Sequence, residues 1–170
     1  MSKNIVLIGF MGAGKSTVAR KLAEELKRET VSTDDLIVKR EGRSINDIFK
    51  DSGEAYFRSL EKTVVAEVSQ ENNLIIDCGG GVVLNLENVA NLKKNGIIFY
   101  LSASVEAIYQ RIKDQTHRPL LKADNPKAKI QELLNSRQSQ YQGAAHYTLD
   151  ASPKPIDPIV DAIKKIMAHE

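Results

Sequence analysis

The chain has 170 residues, with 24 Lys+Arg against 22 Asp+Glu and a formal net charge of +2. That length suits one domain, residues 1–170, with a sizeable core. So balanced a charge gives no electrostatic footprint for nucleic acid, and 5% aromatics with no Trp leaves no base-stacking platform.

Strands and helices alternate along the chain. "NIVLIG" (4–9) reads as a buried parallel strand, continuous and β-branched, ended by glycine. "KSTVARKLAEELKRE" (15–29) reads as a helix, with Val18, Leu22 and Leu26 at a spacing of four. "TVSTD" (30–34) is a short strand and its end, and "DLIVKREG" (35–42) a helix stopped by Gly42. Ser44 and Asp47 form a capping pattern that opens a helix over 44–53. A long amphipathic helix (54–70) precedes the strand "LIID" (74–77). A helix near 86–94 leads to the strand 96–102, then to a helix through Arg111. "DQTHRPLLKADNP" (114–126) breaks regularity with two prolines and reads as a mobile loop. A helix (126–143), a strand (147–150) and a final helix with Pro158 at its start complete the chain. This alternation predicts an α/β fold, a parallel sheet with helices on both faces. Ligands on such sheets sit beyond the carboxyl ends of the strands.

"GFMGAGKS" (9–16) fits G-x-x-x-x-G-K-[ST] at every fixed position, between a predicted strand and a predicted helix. Glycines let the backbone turn several N–H groups toward phosphate oxygens, and the helix dipole adds positive potential. Lys15 can bridge β- and γ-phosphates, and Ser16 can ligate Mg²⁺. Gly12, Ala13, Gly14, Lys15, Ser16 and Thr17 are therefore the candidate nucleotide loop, with a nucleoside triphosphate and Mg²⁺ implied.

A GTPase switch would need a guanine-reading Asn-Lys-x-Asp, which is absent, although Asp77-Cys78-Gly79-Gly80 matches a switch-like Asp-x-x-Gly. The arginines point to a small-molecule kinase instead. Arg58, Arg111, Arg118 and Arg137 all lie in or beside segments that border the predicted site. Phosphoryl transfer needs positive charge on the moving group, and a guanidinium fork suits a carboxylate acceptor. Arg118 lies in the Pro-broken loop, where kinase lids close over phosphates. Glu61 follows Arg58 by one helical turn, close enough to pair with it. The single Cys78 excludes an internal disulfide, no Cys/His cluster has zinc spacing, and the simplest compartment is the reducing cytoplasm. No apolar run reaches the about 20 residues of a membrane span.

The ordered set "GFMGAGKST" (9–17), "TDDLI" with "GRSINDIF" (33–49), "GEAYFRSLE" (53–61), "GGGVV" (79–83), "RPLL" (118–121) and "SRQSQY" (136–141) resembles shikimate kinase along almost the full chain. The resemblance implies a three-layer P-loop kinase fold, with a five-stranded parallel sheet of order 2-3-1-4-5. It implies a substrate-binding region at about 33–61, a lid at about 112–125, and a monomer. It implies ATP-dependent phosphorylation of the 3-hydroxyl of shikimate in chorismate biosynthesis. Asp34, Lys15 and Arg118 fall on its catalytic positions, with Asp34 either a base or an orienting group. Arg58 and Arg137 fall on the carboxylate clamp, and Gly79, Gly80 and Gly81 on the substrate floor. Arg111 falls near the adenine, and Ser152 with Pro153 on its edge. The other readings are a different small-molecule P-loop kinase, such as one for gluconate, and a GTPase-like module.

One departure stands out. Many family members carry Asp-x-Asp after the second strand, the first acid holding Mg²⁺ through water. Here the triplet is Ser32-Thr33-Asp34, while Asp77 stands where a small residue is common. Either the acid has moved, with Ser32 and Asp77 together replacing the usual arrangement beside Ser16, or Asp77 is a strand-end cap and the metal relies on Ser16, phosphates and water.

Overall fold

The computed structural model describes residues 2–115 and 118–170. Five parallel strands form one sheet: β1 (Asn4–Ile8), β2 (Thr30–Ser32), β3 (Ile75–Asp77), β4 (Gly96–Ser102) and β5 (Tyr147–Asp150). Their spatial order is β2-β3-β1-β4-β5, the expected one. Eight helices connect and flank them: α1 (Lys15–Leu26), α2 (Thr33–Glu41), α3 (Ile45–Ser52), α4 (Glu54–Val68), α5 (Leu86–Asn95), α6 (Val105–Ile112), α7 (Pro126–Ala144) and α8 (Asp157–Met167).

The period-two alternation of the strands builds the layers. Ile5, Leu7, Ile75, Phe99 and Leu101 face one side and pack on Val18 and Leu22 of α1 and Val160 and Ile163 of α8. Val6, Ile8, Ile76, Ile98 and Tyr100 face the other side, against Phe57, Val64 and Val65 of α4, Leu92 of α5 and Tyr141 of α7. β1, at the centre, is buried on both faces throughout. A third apolar cluster, Phe10, Ile108, Ile112, Leu120 and Ile130, anchors the segment between α6 and α7.

Register sets the site. Asp77, at the carboxyl end of β3, lies opposite Leu7 on one side and Ser32 on the other. The ends of β1, β2 and β3 therefore meet at the phosphate loop.

The structure moves one predicted boundary in a way that matters. The second strand was expected to run to Asp34, but β2 stops at Ser32 and α2 begins at Thr33. The Ser32 hydroxyl accepts from the Asp35 N–H at 3.2 Å, so it caps the helix. Asp34 thus stands on the first turn of a helix, not at a strand end. The segment expected to be irregular also contains a 3₁₀ turn, Pro119–Lys122, held by buried Leu120. Residues 116 and 117 of the expected lid lie outside the described residues.

Candidate active site

Beyond the strand ends lies a cleft of about 1130 Å³. Its floor is the phosphate loop. Gly14 has φ of 98° and precedes α1, a left-handed conformation that glycine adopts without penalty. Lys15 is buried, and its amino group donates to Gly9 O at 2.8 Å and Phe10 O at 3.0 Å. Burial pulls the Lys15 pKa below its ordinary value, and Asp77 and Asp34 act against that pull.

Ser16 donates its hydroxyl proton to Asp77 Oδ2 at 2.6 Å. Burial raises the Asp77 carboxyl above its ordinary range, while the Ser16 bond and Lys15 oppose the rise. A hydroxyl and a carboxylate of this kind are hard oxygen donors of the type Mg²⁺ takes. Among the described residues no cluster of three or more His, Cys, Asp and Glu has metal-site geometry. The donor set thus suits a cation that keeps most of its waters.

Three functional side chains each face one glycine of the turn after β3. A Cβ on Gly79 would stand 2.4 Å from Asp34 Oδ1, and one on Gly81 would stand 2.4 Å from both terminal nitrogens of Arg58. One on Gly80 would stand 3.8 Å from an Arg137 nitrogen. Any larger residue at 79 or 81 would push the acid or the guanidinium away. Thr33 holds this turn, accepting from the Gly79 N–H at 3.0 Å.

Asp34 Oδ1 is buried and has no hydrogen-bond partner among the described residues. Burial raises its pKa, Lys15 and Arg58 lower it, and the neighbouring acids Asp77 and Asp35 raise it. Arg58 donates to Glu61 Oε1 at 2.9 Å, and Glu61 is only 1% exposed. Glu61 therefore fixes the fork of Arg58 by a contact that water does not dilute. Arg118 reaches the cleft from the 3₁₀ side, with its Nε on Gln115 Oε1 at 2.7 Å.

Arg111 does something the sequence did not foretell. Its Nη1 donates to Gly12 O and Ala13 O, both at 3.2 Å, and its Nη2 to Ala151 O at 2.5 Å and Ser152 O at 3.4 Å. One guanidinium ties the phosphate loop to the loop after β5.

A phosphate loop, an orphaned acid and two guanidinium groups around a glycine turn form a site for moving a phosphoryl group to an anionic hydroxy compound. Comparison with known proteins agrees. A sequence model of the family described as "Shikimate kinase" matches residues 11–168. The chain belongs to the shikimate kinase family. A shikimate kinase of Caldanaerobacter subterraneus is 45% identical over 95% of this chain and 94% of that protein. One from Thermoanaerobacter pseudethanolicus is 42% identical over 96% and 95%. Among solved structures, a shikimate kinase from Acinetobacter baumannii in complex with shikimate has a TM-score of 0.93 at 37% identity, over 99% of this chain and 94% of that one. Shikimate kinase function, with ATP as phosphoryl donor, follows from this membership.

Within the shikimate kinase frame, most of the expected residues converge. Gly12, Gly14, Lys15, Ser16, Thr17, Asp34, Asp77, Gly79, Gly80, Arg111 and Arg118 line the cleft. Arg58, Arg137 and Gly81 adjoin its inner end. Ala13 turns its methyl inward, and its N–H closes the loop onto Phe10 O. Ser152 and Pro153 do not line the cleft. The Ser152 hydroxyl accepts from Ser104 N, and its N–H donates to Asp150. Lys154, Pro155, Ile156 and Asp157 line the cleft on that side. Asp35, Gln110 and Gln115 also line the cleft and carried no motif of their own. Cys78 is buried and its thiol is pushed well up by that burial, so it is a packed side chain.

Proposed function

We propose that this chain transfers the γ-phosphoryl group of ATP to the 3-hydroxyl of shikimate with Asp34 as the group that receives or steers the hydroxyl proton. The observation that carries the reading is the orphaned Asp34 Oδ1, buried beside Gly79 and between Lys15 and Arg58. An alcohol donating to that oxygen would satisfy it and become a better nucleophile. The hydroxyl oxygen bonds to phosphorus, the bond to the β-phosphate oxygen breaks, and ADP leaves. Because phosphoryl transition states are loose, positioning by Asp34 counts as much as proton removal.

Arg58 and Arg137 clamp the substrate carboxylate, Arg58 with its fork held by Glu61. Gly79, Gly80 and Gly81 give that substrate a floor without side chains. Lys15 and Arg118 carry positive charge to the transferred group from two sides. Arg118 rides on the segment about 112–125, which we read as the lid of a single domain.

Ser16 and Asp77 are the metal side of the site. Ser16, and Asp77 through water, would hold Mg²⁺, which would supply positive charge against the phosphates. Ser32 is committed to capping α2, which leaves Asp77 as the acid bonded to the loop serine. The free, buried thiol fits a reducing cytoplasm, and we read the chain as a monomer.

A coupled ADP-release assay with ATP and a panel of hydroxy acids tests the reading. Shikimate should turn over at least about a hundredfold better than gluconate, because the clamp and the acid are spaced on a rigid floor. Gluconate as the preferred acceptor would reject it. The metal assignment is tested by binding of ADP with and without Mg²⁺. In Asp77→Ala the gain from Mg²⁺ should shrink about tenfold, and an unchanged gain would make Asp77 a structural cap.

A further inference from the structure

α7 carries a second polar group toward the glycine turn, one helical turn beyond Arg137. Tyr141 is fully buried, stacked on Tyr100 with ring centroids 5.0 Å apart. Its hydroxyl donates to Gly80 O at 2.5 Å. Arg137 comes to the same peptide, its Nη1 3.8 Å from where a Gly80 Cβ would stand, and its charge pulls against the effect of burial on the phenol. Gly80 O belongs to the peptide whose N–H is that of Gly81. Neither the Gly80 nor the Gly81 N–H donates to another described residue. Two backbone donors therefore stay open in a turn whose carbonyl is already engaged.

We infer that Tyr141 is a positioning residue that joins the Arg137 half of the clamp to the glycine floor, so that the two respond to the substrate carboxylate as one hydrogen-bonded unit. This rests on the reading of Arg137 and the glycines as the shikimate site. The Arg137 charge acts on the Tyr141 phenol, and the Tyr141 hydroxyl donates to Gly80 O. Groups linked in this way polarise one another in a low-dielectric interior. A guanidinium charge acting on the phenol makes its O–H a stronger donor. A strong donor on Gly80 O makes the Gly81 N–H a stronger donor in turn. Burial pushes the Tyr141 pKa up to about 12 against the pull of Arg137, so the hydroxyl stays a donor at every working pH. Stacking on Tyr100 fixes the ring and hence the hydroxyl. A phenylalanine would fill the same space and lose only the link.

Tyr141→Phe tests this, with steady-state kinetics on shikimate and on its methyl ester, and a thermal melt. The KM for shikimate should rise about tenfold, with the KM for ATP and the melting temperature little changed. The ester has no anion for Arg137, so its KM should rise by less than about threefold in the variant. In a cycle with Arg137→Lys, the combined penalty should fall short of the product of the single ones. An unchanged shikimate KM overturns the inference. So does a penalty shared equally with ATP, or one as large for the ester, since either marks a packing role. Absence of shikimate-dependent turnover in the wild-type chain would instead reject the underlying functional reading.

Discussion

Three consecutive residues after β2 do three separate tasks. Ser32 caps α2, Thr33 holds the Gly79 N–H, and Asp34 turns an orphaned oxygen onto the same turn. The triplet thus joins the strand, the helix and the glycine floor, and in the proposed reaction only its third member has chemistry to do. Asp34 is held where its charge is costly: burial raises its pKa, so the ionised form destabilises the fold at neutral pH. Asp34→Asn removes the cost with the function. Turnover should fall about 10²- to 10⁴-fold, ADP binding should persist, and the melting temperature at pH 7 should rise. Near-normal turnover would remove Asp34 from the chemistry, and a lowered melting temperature would refute the electrostatic argument. Sequence made Asp34 legible through the motif around it. It could not make Ser32 legible as a cap, because a serine hydroxyl serves a helix N-terminus or a metal water equally well until the strand end is located.

At the scale of elements, α6 is the piece whose role the sequence understated. It was legible as a helix ending near Arg111, and Arg111 as a neighbour of the adenine. Its actual hydrogen bonds go to four carbonyls on two loops distant in sequence, a contact no local pattern encodes. The same brace explains why Ser152 is turned away from the cleft. Arg111 and Ser104 occupy the backbone and hydroxyl of Ser152, so the cleft is lined from Lys154 onward. A guanidinium can span both loops; an ammonium is a point donor and cannot. Arg111→Lys should therefore loosen the phosphate loop itself. We expect its KM for ATP to rise about tenfold with the shikimate KM unchanged. Inorganic tripolyphosphate, which has no base, should lose affinity as an inhibitor by a similar factor. If tripolyphosphate binds as before while ATP weakens, Arg111 serves the adenine alone.

For the whole molecule, the alternation of strands and helices was enough to fix the class, and the family pattern to give the strand order. What stayed hidden was how the elements converge on the turn after β3: Tyr141 from α7 bonds Gly80 O, and Glu61 from α4 lies beside Gly79. That convergence also gives the fold a pH dependence with two opposed limbs. Asp34, Glu61 and Asp77 are raised above their ordinary values, each chiefly by burial. They bind protons more tightly folded than unfolded, so stability is lost as the pH rises from about 4 through their folded values. His146 works the other way. Its Nδ1 accepts from the Ile98 N–H at 2.9 Å, just before β5, which only the neutral ring can do. Burial lowers its pKa, with Lys93 and Lys3 adding to the effect and Glu170 opposing it. Its contribution is complete above about pH 6.5 and is lost as the pH falls toward its folded value. The lowered carboxylates Glu106 and Glu170 lie in exposed ion pairs that salt screens. Melting temperature against pH should then separate the limbs by variant. Asp34→Asn should flatten the loss on the carboxylate side. His146→Asn, whose amide oxygen can take the place of Nδ1, should flatten the loss in the window where the pH falls below about 6.5. Curves for His146→Asn and the wild type that run parallel through that window would show that the ring takes up its proton alike in the folded and unfolded chain, and that His146 contributes nothing to the loss of stability in acid.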